Sequence, residues 1–310
     1  MKRVICVVGP TATGKTELAV RLAQALDGEV VSCDSMQVYR GMPIGTAQPT
    51  PEEQKGIPHH MLAVADPAEA FSVGKFVAQA DPIVQDILAR GKTAILAGGT
   101  GLYVDALAAG RSFAPMPQTG RREALEARAD REGIEALLAD LRRVDPQSAA
   151  RLHPGNRRRI IRALEVYEET GRTITQHNLE TAARPPRYDA AWLGLDFQDR
   201  ADLYARIEER VDRMIQAGLL EEVRGLLDRG VALDSTALQA IGYKELVPVL
   251  TQGADLPQAI AAVKQNSRRY AKRQRTWFRR NPAVHWLLLP RSPEGETVAR
   301  QAMDDLTDSL

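Results

Sequence analysis

Apolar residues recur along the chain in two different patterns. Short apolar runs predict buried strands. They lie at residues 4–8, 30–33, 93–97 and 192–197. Apolar positions three or four residues apart predict amphipathic helices, the first over 16–26, where Leu18, Leu22 and Leu26 share one face. Because strands alternate with helices through the first hundred residues, we expect a parallel α/β sheet covered on both faces.

The pattern changes near residue 111 and again near residue 185. Pro115, Pro117 and Gly120 are typical of a linker, and helical spacing follows them. The helices of this middle segment are predicted at 121–131, 134–143 and 158–170, and later ones at 203–217, 219–229 and 258–278. We therefore expect a first part of the core at 1–114, a helical insertion at 115–190, and a return strand with C-terminal helices at 191–310.

Charge is unevenly distributed in this chain of 310 residues, although its net charge is only +1. Residues 264–280 contain eight Lys or Arg and no acid, and residues 151–162 contain five Arg and no acid. The rest of the chain therefore carries a net negative charge. Two concentrated basic stretches predict a localised site for a polyanion, with solvated helix faces as the alternative.

Composition also excludes several classes of protein. No apolar run approaches the ~20 residues of a membrane span, and the short run after the basic N-terminus has no cleavage site behind it. Cys6 and Cys33 lie in strand-like runs, which favours buried, reduced thiols over a disulfide or a metal site. We expect a cytoplasmic monomer with no membrane contact and no stable protein partner.

A phosphate-binding loop follows the first predicted strand. The segment from Gly9 to Thr16 satisfies G-x-x-x-x-G-K-[ST], and it opens the first predicted helix. Its functional residues are Gly9, Thr11, Ala12, Thr13, Gly14, Lys15 and Thr16. Lys15 is expected to reach the distal phosphate, and the Thr16 hydroxyl is the expected ligand of a Mg²⁺ cofactor. The fold class is therefore α/β, a P-loop parallel sheet core with a helical insertion domain.

Asp34 follows the second predicted strand, at the edge of the sheet where open α/β proteins bind ligands. The third strand ends in Gly-Gly-Thr, without the carboxylate that a typical NTPase places there. A carboxylate at this edge is well placed to take a proton from a nucleophile, although it could instead cap a helix together with Ser35. Because the loop fits any diphosphate, a small-metabolite kinase that uses ATP remains an alternative.

Seven collinear sequence blocks carry a resemblance to a known family. They lie at 34–39, 45–47, 58–60, 98–103, 152–165, 239–245 and 270–278. In order and spacing they resemble the bacterial tRNA dimethylallyltransferases, the IPP transferase family. The resemblance runs from the phosphate loop to about residue 280, roughly nine-tenths of the chain.

The resemblance implies prenyl transfer to RNA. In this family the phosphate loop holds dimethylallyl diphosphate, and N6 of adenine 37 in a tRNA displaces pyrophosphate. Asp34 matches the general base, and Lys15 with an arginine would neutralise the leaving group. Arg210 is the candidate arginine, although Arg206 and Arg213 share its helix face and the choice among the three stays open.

The resemblance also implies contacts with the anticodon stem-loop. The family flips the target base into a channel, and the insertion grips the RNA. The matching positions are Asp34, Ser35, Met36, Gln37, Thr100, Arg122, Arg158, Arg159, Ile160, Ile161, Arg162, Gln239, Gly242, Lys244, Lys272, Arg273, Arg275 and Arg279. Gln37 is expected to read an adenine edge, and the adjacent Arg121 is the alternative to Arg122.

The helix predicted at 258–278 carries a further pattern. Arg268, Lys272, Arg275 and Arg279 would form one stripe that tracks phosphates. The side chains of Trp277 and Phe278, from the same block, either stack on bases or pack in the core.

Some residues depart from the family pattern or suggest another function. Gln48 stands where the family usually has a lysine, and Gly155-Asn156 stands where it often has an aspartate. His59 and His60 are expected to be a loop pair that caps or packs, not a metal site. An RNA-binding protein without catalysis would not need Lys15 or Asp34. Prenylation of free adenine nucleotides is disfavoured by the arginine-rich insertion.

Overall fold

The structure is a computed structural model that describes residues 2–111, 119–183 and 185–308. The chain divides into two compact units, one formed by Met1–Ser112 with Arg187–Leu310 and the other by Phe113–Pro186. Pro115 and Pro117 of the predicted linker lie outside the described residues.

Within the described residues, the larger unit is built on one six-stranded sheet. Its strands are β1 (Lys2–Val8), β2 (Gly28–Ser32), β3 (His59–His60), β4 (Thr93–Gly98), β5 (Tyr188–Phe197) and β6 (Val284–Leu289). Their order is β3-β2-β4-β1-β5-β6, and every pairing in it is parallel. The predicted P-loop-type parallel sheet is confirmed.

The strands β3 and β6 were not predicted, and β5 begins earlier than predicted. His59 and His60 form β3 beside Val30 and Val31, so the expectation of a loop pair is wrong. The return strand β5 begins at Tyr188, before the predicted start. The sequence did not reveal this start, because an exposed Asp189 and two alanines interrupt the apolar pattern there. Residues 188–190 therefore belong to a core strand and not to the insertion.

The sheet is covered by helices from both ends of the chain. The helices of the larger unit are α1 (Lys15–Ala25), α2 (Pro43–Thr46), α3 (Pro51–Gln54), α4 (Val73–Ala89), α5 (Gly101–Ala108), α11 (Arg200–Gln216), α12 (Leu219–Asp228), α13 (Tyr243–Gln252), α14 (Leu256–Phe278) and α15 (Gly295–Asp308). Leu18 and Leu22 of α1 pack with Ile5 and Val7 of β1 in one buried cluster. No helix in the described part of the chain is long and apolar enough to cross a bilayer.

A buried carboxylate stabilises the end of the sheet opposite the phosphate loop. Glu29 of β2 is 3% exposed. It accepts a hydrogen bond from Arg90 Nη2 at 2.9 Å, and its Oε2 lies 2.9 Å from His60 Nε2. The Arg90 hydrogen bond is the largest cause that lowers the pKa of Glu29 to about 2. Cys6 and Cys33 are buried and free, as predicted.

The two chain connections that lead to the insertion leave the core side by side. Arg187 N donates to Ala109 O at 3.3 Å, and a Cβ on Gly110 would lie 2.4 Å from the Arg187 Cβ. The Arg187 guanidinium pairs with Asp81 of α4. The second oxygen of that carboxylate accepts a 2.6 Å hydrogen bond from the Tyr188 hydroxyl. The second connection is thus fastened to α4, and the first connection is hydrogen-bonded to the second.

The smaller unit is helical, as the sequence predicts. Its helices are α6 (Arg121–Glu132), α7 (Ile134–Val144), α8 (Pro146–Ala149), α9 (Arg157–Thr170) and α10 (Ile174–Ala182), with a 3₁₀ turn at Pro154–Asn156. They enclose a separate apolar cluster that includes Leu137 and Leu141 of α7.

Candidate active site

The phosphate loop turns sharply between β1 and α1. Gly9 has φ +138°, and a Cβ there would lie 2.3 Å from the Leu195 carbonyl oxygen. Ala12 and Gly14 also adopt left-handed conformations, and α1 begins immediately afterwards at Lys15. A glycine is required at the start of this turn, because any side chain would collide with the neighbouring strand.

Two cations face the loop. Burial is the largest cause that lowers the pKa of Lys15 to about 7, and the nearby Arg210 guanidinium lowers it further. Burial also lowers the pKa of Arg210 from its ordinary value, while Asp34 opposes the shift. The site therefore holds more positive charge than one carboxylate balances, and a bound anion would neutralise the excess.

Of the three candidate arginines of α11, Arg210 lines the two loop cavities that also contain Asp34, and Arg206 and Arg213 line neither of these two. Arg206 donates from Nε to the Ala12 carbonyl at 3.4 Å and lies over the Phe197 ring, so it supports the loop from behind. Arg213 is exposed.

Asp34 serves as a turn cap and also faces the open site. Its Oδ1 accepts a 2.8 Å hydrogen bond from Met36 N. Its Oδ2 accepts no hydrogen bond from the part of the chain that the structure describes, and the residue lines both cavities. The next residue is fixed by α5, because Ser35 N donates to Thr100 Oγ1 at 3.0 Å. Asp34 thus caps a turn and not the helix that the alternative expected, and this capping leaves Oδ2 open for the predicted role as a general base.

Two adjoining cavities meet at Asp34. The smaller, about 150 Å³, is lined by Lys15 and Thr16, and the larger measures about 300 Å³. They share Thr11, Asp34, Thr46, Arg210 and Tyr270. The larger cavity has an apolar wall that contains Ile207, Val211, Met214 and Val263. A carboxylate thus lies between a cationic compartment and a partly apolar one.

The structure places several predicted RNA contacts around the larger cavity. Its lining includes Ser35, Met36, Gln239, Gly242, Lys244 and Arg273. Lys244, in the first turn of α13, and Arg273, on α14, bring positive charge to it. These residues come from segments more than 200 positions apart, and the fold brings them to one site.

Gln37 does not have the free amide that reading a base requires. Its Nε2 donates to the Ala47 carbonyl at 2.8 Å, and its Oε1 accepts from Ser32 Oγ at 2.8 Å. Gln48, which replaces the usual lysine, donates to the carbonyls of Gln37 and Tyr39 at 2.9 Å each. Both amides therefore brace their own loop, and the Gln37 side chain would have to release these hydrogen bonds to read an adenine edge.

The predicted basic stripe on α14 is largely neutralised within the protein. Arg275 lies 2.7 Å from Asp196, a carboxylate that is 1% exposed, and Arg279 lies 3.4 Å from the same oxygen. Arg268 pairs with Glu208. Three of the four members of the stripe therefore already have acidic partners within the protein. Lys272 is the stripe member with no acidic partner among the described residues.

The predicted RNA contacts of the insertion also differ in whether their side chains are buried, paired with an acid or exposed. Ile160 and Ile161 are 0% and 2% exposed in its core, so their side chains pack inside the insertion and are not open to an RNA partner. Arg122 and Arg162 both pair with Glu165. Arg158 and Arg159 are exposed, with no acidic partner among the described residues.

The two aromatic residues at the end of α14 have different environments. Phe278 is 1% exposed and belongs to the core. Trp277 is 36% exposed, and its Nε1 donates to Asp105 Oδ2 at 2.8 Å. The core-packing alternative is therefore correct for Phe278.

Two residues of the site were missed. Tyr270 lines both cavities, where burial and the Asp34 charge raise its pKa to about 12, and its hydroxyl interacts with Thr100 and Gln274. Gln274 is 4% exposed. Both residues lie on the inner face of α14, four residues apart. This spacing, which places them on one helix face, was the sequence signal that could have identified them.

The described residues hold no cluster of three His, Cys, Asp or Glu side chains that would bind a metal by itself. The Thr16 hydroxyl lines the smaller cavity beside Lys15. A hard oxygen ligand at a phosphate loop suits Mg²⁺ that is shared with phosphate oxygens and water.

Comparison with known proteins identifies the family. The sequence profile of the IPP transferase family matches residues 37–281, and an isopentenyl transferase profile matches residues 2–66. The chain belongs to the IPP transferase family. It is 50% identical over 299 residues to a tRNA dimethylallyltransferase of Symbiobacterium thermophilum, covering 96% of this chain and 92% of the relative. It is 48% identical to tRNA dimethylallyltransferase 1 of Trichlorobacter lovleyi, covering 93% and 94%.

Solved structures of the family share the fold. A tRNA isopentenylpyrophosphate transferase from Bacillus halodurans is 41% identical, with a TM-score of 0.73 over 99% of this chain and 98% of that one. A eukaryotic dimethylallyltransferase acting on tRNA is 29% identical, with a TM-score of 0.85 over 100% of this chain and 80% of that one. These relatives do not favour the kinase alternative.

Proposed function

We propose that this chain transfers the dimethylallyl group of dimethylallyl diphosphate to N6 of adenine 37 in tRNA and releases pyrophosphate. One observation carries the proposal. Asp34 lies on the shared wall of two cavities, one lined by Lys15 and the other partly apolar, and Arg210 lines both. The family relatives, which are named tRNA dimethylallyltransferases, support the same reaction.

The reaction follows from this arrangement. The amine nitrogen forms a bond to the prenyl carbon while the bond from that carbon to the diphosphate oxygen breaks. Asp34 accepts the proton that the amine loses, and general-base help of this kind contributes about 10²–10⁴-fold. Lys15 and Arg210 stabilise the negative charge that grows on the leaving diphosphate.

Mg²⁺ is part of the proposal. The Thr16 hydroxyl would hold it together with diphosphate oxygens. When bound, the ion would neutralise charge on the leaving group and so assist its departure.

The RNA partner is inferred from the remaining free cations. Lys244 and Arg273 line the larger cavity, Lys272 is exposed on α14, and Arg158 and Arg159 are exposed on α9. Such cations bind a phosphate backbone by releasing counterions. We infer that they bind the anticodon stem-loop, and that the enzyme works as a monomer in the cytoplasm, where its tRNA substrate is found.

A prenyl-transfer assay tests this function. Purified protein, Mg²⁺ and labelled dimethylallyl diphosphate are incubated with an unmodified tRNA transcript that carries A36-A37-A38. An A37→G transcript and the Asp34→Asn protein are the controls. Label in the A37 transcript with the wild-type protein alone is the expected result. Label in neither transcript, with ATP consumed in the presence of a small metabolite, would refute the proposal in favour of a kinase.

A further inference from the structure

Gln274 is a buried polar side chain that bridges two loops of the site. Its Oε1 accepts a hydrogen bond from Thr11 N at 2.9 Å. Its Nε2 donates to the Gly99 carbonyl at 2.9 Å. The flanking residues Arg273 and Arg275 are more exposed than Gln274, which is 4% exposed. A buried amide that is satisfied at both ends fixes the distance between its two partners.

Gly99 is shaped to receive this amide. A Cβ at this position would lie 2.1 Å from Gln274 Nε2, whereas its next nearest atom outside that side chain would be Gly9 O at 3.7 Å. Gly99 does not have a positive φ. The need for glycine here therefore comes from one side chain and not from the backbone conformation.

The same face of α14 also holds the segment that carries the carboxylate. Tyr270, one helical turn before Gln274, lies close enough to Gln274 and Thr100 for its hydroxyl to interact with both side chains. Thr100 in turn accepts from Ser35 N, next to Asp34. One helix thus connects the diphosphate loop, the glycine turn and the Asp34 segment.

We propose that Gln274 is a positioning residue for prenyl transfer, which fixes the spacing between the diphosphate loop at Thr11 and the glycine turn at Gly99. The proposal rests on the proposed function. The diphosphate held by the loop and the acceptor amine beside Asp34 must meet with reacting atoms about 3–3.5 Å apart, and a misplacement of about 1 Å costs about 100-fold in rate. A shift of either loop changes that separation without removing any group that touches substrate.

The first test compares glutamine variants on the same helix. Gln274→Met has a similar length and loses both hydrogen bonds, whereas Gln274→Glu keeps an acceptor for Thr11 N and loses the donor to Gly99. Gln265→Met, on the exposed face of α14, is the matched control. We expect Gln274→Met to lower kcat by about 10- to 100-fold with little change in the Kd for pyrophosphate. Gln274→Glu should lie between, and the control should match wild type.

The second test uses the contact with Gly99. Gly99→Ala should lower kcat by about tenfold in the wild-type background, because the methyl group displaces the Gln274 amide. In a Gln274→Ala background the same change should have no further effect, since the colliding atom is gone. Thermal unfolding of each variant separates a loss of kcat from a loss of folded protein.

The outcomes distinguish a failure of the positioning role of Gln274 from a failure of the proposed function. Wild-type kcat in Gln274→Met, or equal effects of Gly99→Ala in both backgrounds, would overturn the positioning role. A fall in Tm with kcat unchanged in the folded fraction would also overturn it. If the wild-type protein itself transfers no prenyl group, the proposed function fails first.

Discussion

The pKa of Lys15 makes the affinity for diphosphate depend on pH. In the free protein this pKa is lowered to about 7, chiefly by burial. A bound diphosphate brings opposite charge next to the ammonium group and raises its pKa, so binding is accompanied by proton uptake. The affinity should therefore be highest below pH 7 and should fall as the pH rises through 7, until the pKa of the complex is reached.

The magnitude follows from the protonated fraction of free Lys15. With a pKa of about 7, half of the lysines are protonated at pH 7 and about one in a hundred at pH 9. If the bound lysine stays protonated, pyrophosphate binding should weaken by about 50-fold between these two pH values.

Isothermal titration calorimetry measures both the affinity and the proton uptake. Pyrophosphate is titrated into the protein without Mg²⁺, in pairs of buffers that differ in ionisation enthalpy. Lys15→Arg is the control, because arginine stays charged over this range and the ligand's own ionisation is the same in both proteins. The pH dependence of wild type relative to Lys15→Arg is the quantity of interest.

The expected result is about half a proton taken up at pH 7 by wild type, in excess of Lys15→Arg, rising towards one at pH 8. An identical pH dependence in the two proteins would refute the reasoning, because it would show Lys15 fully charged before the ligand arrives.

Three other predictions concern the carboxylate, the RNA surface and the sheet. Asp34→Asn should lower kcat by about 10²-fold or more while tRNA affinity, measured by filter binding, stays near wild type; a comparable loss of affinity would contradict the general-base role. Lys272→Ala should weaken tRNA binding and reduce the salt slope by about one counterion, whereas Lys75→Ala, exposed on α4, should leave the slope unchanged. Because the pKa of Glu29 is about 2 against an ordinary 4.5, its ion pair should contribute about 3 kcal/mol above pH 4.5, lost as pH falls towards 2. Urea unfolding of Arg90→Gln should show a smaller loss of stability over that pH range than wild type shows. An equal loss in both proteins would mean that groups other than this ion pair cause the acid sensitivity.

The site was predictable where its signal is local in sequence. The phosphate loop is eight consecutive residues between a strand and a helix, and Gly9 and Gly14 stand where its backbone has a positive φ. Asp34 was predictable because the carboxyl end of a parallel strand is a ligand-binding position. The parallel sheet followed from alternating strand and helix patterns, although β3 has only two residues and is too short for any periodicity to reveal.

The residues that sequence reasoning misplaced depend on partners far along the chain. Arg275 appears as a free cation on a helical wheel, because its partner Asp196 is 79 residues away. Gln274 appears as an ordinary polar position between two arginines, and its role is visible only when Thr11 is placed beside it, 263 residues away. Periodicity indicates which face a residue occupies but not what lies opposite that face.

The side-by-side exit of the two connections has a consequence for how such a protein can change over time. Ala109 and Arg187 are joined by a backbone hydrogen bond, and Asp81 anchors the second of them. For the core, the intervening segment is therefore one long surface loop whose ends already meet, and lengthening such a loop adds little closure entropy. A lineage could enlarge, trim or exchange the helical unit without refolding the sheet that carries the phosphate loop and Asp34.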